Sequence, residues 1–488
     1  MSQRAATAVA ILVVLLAALI HGMTPRPGRA AGASQKQGAG VPVIFTAAPV
    51  YDSLAALRGE ERFPQGAQLM VLRGGKPEPL APGLAASADA SVSFDGKTVL
   101  FAGRKSAGEP WAIWEAAADG GEPRAVLVAK TDLIRPLWMP DERMVYARRE
   151  ASGFALEAAA LDGANPLKLT YLPGNFVPDD VLRDGRLLFE SEFPLGAGAQ
   201  PSPSARSAVG TAAEMFLVYA DGSGVESVRC DHGDGKAGPG RAHGRQMSLD
   251  SAVASAGDIV FTHGNRLARF TSARAEEVPV AAPAGEYAGD VAELPDGRWL
   301  VAVHRPGEKH FALAAWKLGV AAVTKLAGDV NRDLVEPVVV APRATPNRHP
   351  SALHEWSHGN LLAQDSRQSR SGVVNGAPAA VRAETLTPDG RVVDLGTAPV
   401  EQDGSFFVQA TGDRPLRFVL LDAAGHTLRE EQGWFWVRRG EQRICVGCHT
   451  GPERAPENRV PQVLLRTTTP VDLTGGAGAI ASPIAGGH

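Results

Sequence analysis

Short apolar runs behind turns that carry aspartate and glycine set the rhythm of this chain. Asp95-Gly96-Lys97 leads into Thr98-Val99-Leu100-Phe101, and Asp141-Glu142-Arg143 leads into Met144-Val145-Tyr146. Asp184-Gly185-Arg186 precedes Leu187-Leu188-Phe189, and Asp296-Gly297-Arg298 precedes Trp299-Leu300, with a weaker copy at Gly257-Asp258 before Ile259-Val260-Phe261. A second phrase alternates with the first, at Asp119-Gly120, Asp162-Gly163 and Asp221-Gly222. Glycine tolerates the positive φ of a tight hairpin turn, so each phrase predicts two antiparallel strands. Recurrence at roughly 40–45 residues is the period of a four-stranded propeller blade, which buries its faces only against neighbouring blades. With a first blade around Gln68–Leu72, six or seven blades fill residues 42–340. A β-sandwich with irregular hairpins is the alternative reading.

Two insertions interrupt the rhythm. Gly196 to Gly210 is rich in Pro, Ser, Ala and Gly and reads as a loop. Cys230 to His243 is polar and follows a strand, so it falls at a blade end. After residue 340, Pro342, Pro346 and Pro350 punctuate a linker expected over 341–379, which carries His349, His354 and His358. Strands resume from Ala380, with turns at Asp389-Gly390, Asp403-Gly404 and Ala424-Gly425. The fold class expected is therefore mainly β: an N-terminal propeller, then a small β-sandwich-like domain over 380–465 and a flexible tail over 466–488.

Composition narrows the setting. The 488 residues are 44% hydrophobic, enough to bury real cores, and 54 Gly with 36 Pro favour turns over long helices. A formal charge of −4 excludes the basic surface that non-specific nucleic-acid binding needs. The first 33 residues contain Arg4, Arg26 and Arg29 and no acid. A 16-residue run from Ala5 to Ile20 is followed by Ala31-Gly32-Ala33, the pattern of a cleaved secretory signal peptide. An uncleaved anchor is the alternative, although 16 residues fall short of the ~20 of a spanning helix. Loss of the three arginines takes the formal charge from −4 to −7. The expected product is exported, to the periplasm or beyond, with no stable membrane span once the signal is removed.

Three cysteines cannot build a disulfide framework. Two stand in Cys445-Val446-Gly447-Cys448-His449, the c-type attachment signature. Thiols three apart form thioethers to the two vinyl groups of one haem, and the next histidine is placed to ligate its iron. A zinc site would want a second ligand pair, which only Cys230 and scattered histidines supply, and a redox dithiol would want an α/β setting. The expected cofactor is one covalent haem c. His349, His354 and His358 are candidates for the distal position, His354 and His358 sharing a face if helical, with Met247 a weaker one. Cys230, His232, Asp234 and His243 form a candidate second metal site. Trp356, Trp434 and Trp436 are expected to pack against haem or core.

The propeller phrases resemble the repeats of TolB-type β-propellers. From about residue 340 to 465 the chain resembles the haem-bearing middle domain of the hydrazine synthase alpha subunit family. The stretches that carry this are Asp403–Val408, Arg414–Phe418, Leu421–Gly425, Trp434–Glu441 and Cys445–His449. The resemblance implies a propeller ahead of the module, export, and Cys445, Cys448 and His449 as haem positions. It also implies a second haem and a tyrosine iron ligand just past the motif. Here only one motif exists and the last tyrosine is Tyr287, so architecture carries over better than the reaction. Electron transfer with a redox partner, another cytochrome, is the first expectation. A haem enzyme acting on a small nitrogen or oxygen compound at an open iron, and a binding protein with a structural haem, are the alternatives.

Overall fold

The computed structural model describes residues 40–194, 211–228, 240–247, 259–271, 277–369, 372–431, 433–447 and 458–475. The expected signal segment, the Gly196–Gly210 loop and the Cys230–Asp234 cluster lie outside them, as do Cys448 and His449. Among the described residues the chain is almost entirely strands, and no helix is long and apolar enough to cross a membrane.

Among the described residues six four-stranded antiparallel sheets form the propeller, the lower of the two expected blade numbers. Five are continuous in sequence, starting with the strands Ala86–Val92, Leu133–Trp138, Phe176–Val181, Arg241–Gln246 and Glu286–Glu293. The remaining blade is composite. Val43–Ala48, Gln68–Arg73 and Lys76–Pro79 receive Asp333–Val339 as their fourth strand, which ties both ends of the ring into one sheet. These six strands contact one another in succession and line the axis.

The recurring turns work as their chemistry demands. In three of them the aspartate carboxylate accepts the N–H two residues on: Asp95 from Lys97 at 3.1 Å, Asp184 from Arg186 at 3.0 Å, Asp296 from Arg298 at 3.1 Å. Glycine follows at φ 77°, 91° and 79°. The apolar strands behind them supply the inter-blade cores, for example Val99, Phe101 and Trp114, or Trp299 and Trp316 packed edge-to-face at 5.8 Å.

Residues 341–352 run as an extended strap over the turns of successive blades. Arg343 donates its N–H to Phe94 O and stacks on that ring at 4.3 Å, Asn347 donates to Arg183 O, and Arg348 donates to Pro140 O. A Cβ on Gly185 would lie 2.3 Å from Asn347 O, so this glycine serves close approach as well as turn geometry.

The second module is a sandwich of two four-stranded sheets. One has the order Gln442–Cys445, His358–Ala363, Phe406–Thr411, Val471–Asp472, and the other Val392–Pro399, Ala380–Leu386, Arg417–Leu421, Thr427–Glu430. Leu361, Val381, Phe406, Val408, Phe418 and Leu420 fill the space between them. Two expected boundaries change. Part of the supposed linker is the strand His358–Ala363, because alternate residues Gly359, Leu361 and Ala363 face the core. The supposed tail contributes Val471–Asp472 and the buried Leu473.

Candidate haem-attachment site and the propeller axis

Cys445 ends the strand Gln442–Cys445, which runs parallel to His358–Ala363 with Cys445 opposite Ala363. Gln364 donates its N–H to Cys445 O at 2.9 Å, and Val446 and Gly447 bend away from the strand. Cys445 is a free, half-buried thiol. Burial pushes it above its ordinary value, against the pull of the Arg443 guanidinium. Downstream, Arg459 is paired with Asp403 and donates to Gln364 O, while Gln462 N–H is accepted by the same Asp403 at 2.8 Å. The flanks of 448–457 are thus fixed to the sandwich on both sides. A neutral, half-buried thiol at a pinned strand end is a residue that fits a thioether anchor, with Cys448 and His449 three and four positions on.

The module is locked to the propeller just ahead of this point. Arg438 is fully buried. Its Nε donates to Asp413 at 2.7 Å, its Nη1 to Lys168 O at 3.0 Å and to Asp221 O, and its guanidinium covers the Tyr171 ring at 4.8 Å. Trp436, 1% exposed, donates from Nε1 to Gly222 O at 2.8 Å and packs into the propeller core. Glu441 accepts from Gly224 N–H at 3.1 Å, and Arg443 donates to Val225 O. Asp221 also accepts from Ser351 Oγ and Ala352 N–H.

The other sequence candidates are spread out. His349 stacks on Tyr219 at 3.8 Å, and His354, Trp356 and His358 stack on one another at 4.6 and 5.7 Å. His354 N–H is bound by Arg439 O at the start of the sandwich, so this group sits at the end of the His358–Ala363 strand away from Cys445. Five residue steps of extended chain lead from His358 to Ala363, about 16 Å. His354 and His358 are not on a helix; His358 opens a strand. Met247 is 2% exposed and packs with Trp299 and Trp316 in a blade core, where apolar burial accounts for it. Trp434 carries the Arg417 guanidinium on its ring at 4.5 Å.

His243, the described member of the second candidate set, belongs to a cluster that sequence reading missed. Each inner strand breaks its ladder once, and the break holds a buried polar residue: Asp89, Arg135, Asp179, His243, Asp290 and Glu336. Asp89, Arg135, His243 and Glu336 take φ of 54–60°, and Gly289 precedes Asp290 at 68°. Arg135 donates to Asp179 at 3.2 Å and to both oxygens of Asp290, while Arg62 pairs with Asp89 and Glu336. Arg245 reaches Asp290 at 2.8 Å. Freed N–H groups at the breaks are accepted by neighbours: Arg135 N–H by Asp89, His243 N–H by Glu190, Gly244 N–H by Asp179. Burial, and then repulsion from Glu190, pushes Asp179 well up, whereas Arg135 and Arg245 overcome burial and hold Asp290 well down. Burial pushes His243 down to about 3, leaving it neutral.

A six-bladed propeller locked to a β-sandwich that carries a C-x-x-C-H motif defines the class. Residues 360–450, which include the motif, match the family model "Hydrazine synthase alpha subunit middle domain". Among solved structures, hydrazine synthase of Kuenenia stuttgartiensis is similar in fold, with TM-score 0.73 and 17% identity over 88% of this chain and 72% of that one. TolB of Acinetobacter baumannii aligns with TM-score 0.43 and 14% identity, over 61% of this chain and 66% of that one. A search of curated proteins gives no match.

Proposed function

We propose that this protein is an exported, periplasmic mono-haem c-type cytochrome that passes single electrons to and from a partner protein, itself a cytochrome. The observation that carries the reading is the Cys445–His449 motif inside the family-matched segment, at a strand end with a free thiol. Cys445 and Cys448 would hold the haem and His449 would ligate its iron; the group supplies a one-electron redox couple when bound. Arg438, Trp436 and Arg443 hold the sandwich against the propeller, so a haem attached at Cys445 would be carried by one body with the propeller. Hydrazine synthesis is not part of the proposal, because the chain has one attachment motif and no tyrosine beyond Tyr287.

One observation favours a second reading, a haem enzyme acting on a small nitrogen or oxygen compound. His354 and His358 group at the far end of the strand from Cys445, and His349 stacks apart from them on Tyr219, which leaves them poorly placed for the distal position. The test is expression with the haem-attachment machinery, pyridine haemochrome analysis, and a spin-state spectrum. One covalent haem per chain, lost in a Cys445→Ala/Cys448→Ala double variant, is expected. Absence of covalent haem overturns both readings; low-spin six-coordinate iron supports electron transfer, and high-spin iron supports the enzyme.

A further inference from the structure

We infer that Asp179, His243 and Asp290, on the inner strands of three successive blades, bind a divalent transition-metal ion of the zinc or manganese class at the propeller axis. One ligand atom from each of the three lies within 4.8 Å of the others, and all three side chains are buried. Modest closure brings such a set onto one ion, whose bonds to nitrogen and oxygen are about 2.0–2.2 Å.

A cluster of acids alone would not suffice. The second observation is His243: it is 1% exposed, and among the described residues neither ring nitrogen has a hydrogen-bond partner. Its Nδ1 faces Asp290 Oδ1 at 3.7 Å, beyond hydrogen-bonding distance. A buried imidazole with both nitrogens bare is costly in an apolar interior, and a ligand removes that cost.

Charge points the same way. Around the axis, five buried carboxylates (Asp89, Asp179, Glu190, Asp290, Glu336) face three guanidinium groups (Arg62, Arg135, Arg245). The excess of two negative charges matches one divalent ion; the competing solution is two protons held on carboxyls. Lone pairs are available. Asp290 Oδ1 accepts one bond, from Arg135, and each oxygen of Asp179 also accepts one, so each keeps a free site. The imidazole suits zinc and the two carboxylates suit manganese, whereas calcium takes oxygen ligands and magnesium keeps several waters.

The site is also held and covered. The ladder breaks that aim the three side chains are backbone features, and the N–H groups of His243 and Gly244 are tied to Glu190 and Asp179. Residues 49–67 reach the axis through Arg62, which pairs with Asp89 and Glu336, and through Tyr51, which donates to Glu336 at 3.0 Å. The ion would be a structural tie joining three blades, and the inference is independent of the haem.

The test uses the full chain expressed with zinc or manganese supplied, then dialysed into metal-free buffer. Non-iron metal is counted by elemental analysis on the wild type, His243→Gln and Asp179→Asn. One ion per chain is expected, falling below a tenth in His243→Gln, with imidazole and carboxylate in the wild-type X-ray absorption shell. Circular dichroism establishes that each variant is folded. Should a variant not fold, chelation of the wild type decides: its Tm should fall and recover with added Zn2+ or Mn2+. Wild type without stoichiometric metal, or His243→Gln with full metal, refutes the site and leaves the two-proton solution.

Discussion

Arg438→Met isolates the coupling between the two modules. Methionine keeps most of the apolar volume and removes the guanidinium that joins Asp413 to the carbonyls of Lys168 and Asp221. Breaking a buried pair costs about 3–5 kcal/mol, and an orphaned buried acceptor about 1–3 kcal/mol, the two overlapping here. Asp413 keeps Arg439 at 3.0 Å and is one-fifth exposed, which places the loss at the lower end. The expected destabilisation is therefore ~3 kcal/mol, more than a hundredfold in the folding equilibrium. Urea unfolding followed by tryptophan fluorescence, with Trp436 at the junction, and by far-UV circular dichroism reads it directly. The two probes should coincide in the wild type and separate in the variant as the sandwich detaches first. Arg438→Lys should recover less than half, since one ammonium cannot reach Asp413 and both carbonyls together. A midpoint shift worth under ~0.5 kcal/mol would refute the coupling.

Three further outcomes follow from the same contacts. Gly222 and Gly297 hold the same turn conformation, at φ 83° and 79°, but a Cβ on Gly222 would lie 2.3 Å from Arg438 Nη1 while one on Gly297 meets nothing within 4 Å. Gly297→Ala should cost about 1 kcal/mol and Gly222→Ala at least twice that, measured by thermal unfolding. Burial pushes Glu431 up to about 7 from an ordinary value of 4.5, against Arg443 and Arg417, so the folded chain holds a proton that the unfolded chain releases. Its contribution is present below pH 4.5 and lost as pH rises through 7, on the order of 3 kcal/mol, and Glu431→Gln should flatten the fall in Tm over that window. His243 has the opposite slope: pushed down to about 3 from 6.5, it costs stability as pH drops below 6.5, a loss that His243→Gln should remove.

The turns were legible because aspartate and glycine each do a local job there: one accepts the N–H two residues on, the other supplies positive φ. The strands behind them were legible because their apolar runs are short and bounded. The strand His358–Ala363 was hidden by the prolines before it and by a polar start, although its alternation of Gly359, Leu361 and Ala363 carried the period of two. The axis cluster was illegible for a different reason. A ladder break shifts the alternation, so single charges such as Arg135 between Ile134 and Pro136, or Glu336 before Pro337, read as noise within apolar runs. Their common position shows only when six strands are superposed in a ring. At the C-x-x-C-H motif the residues alone carried the expectation, and the fold adds the strand end that holds Cys445.

The composite blade has a consequence in time. Three of its strands are made first and the fourth, Asp333–Val339, only after some 250 further residues have followed Pro79. Pairing across such a separation is slow, because loop closure precedes any gain from contact. Until it happens, Val43–Ala48 offers an unpaired edge, the kind that recruits other strands into aggregates. The segment bearing Cys445 comes later still. A chain emerging from its N-terminus therefore has every strand of the ring before it presents its first motif cysteine, and any slowing of closure, as by Val335→Pro on the late strand, should appear as aggregation through that edge.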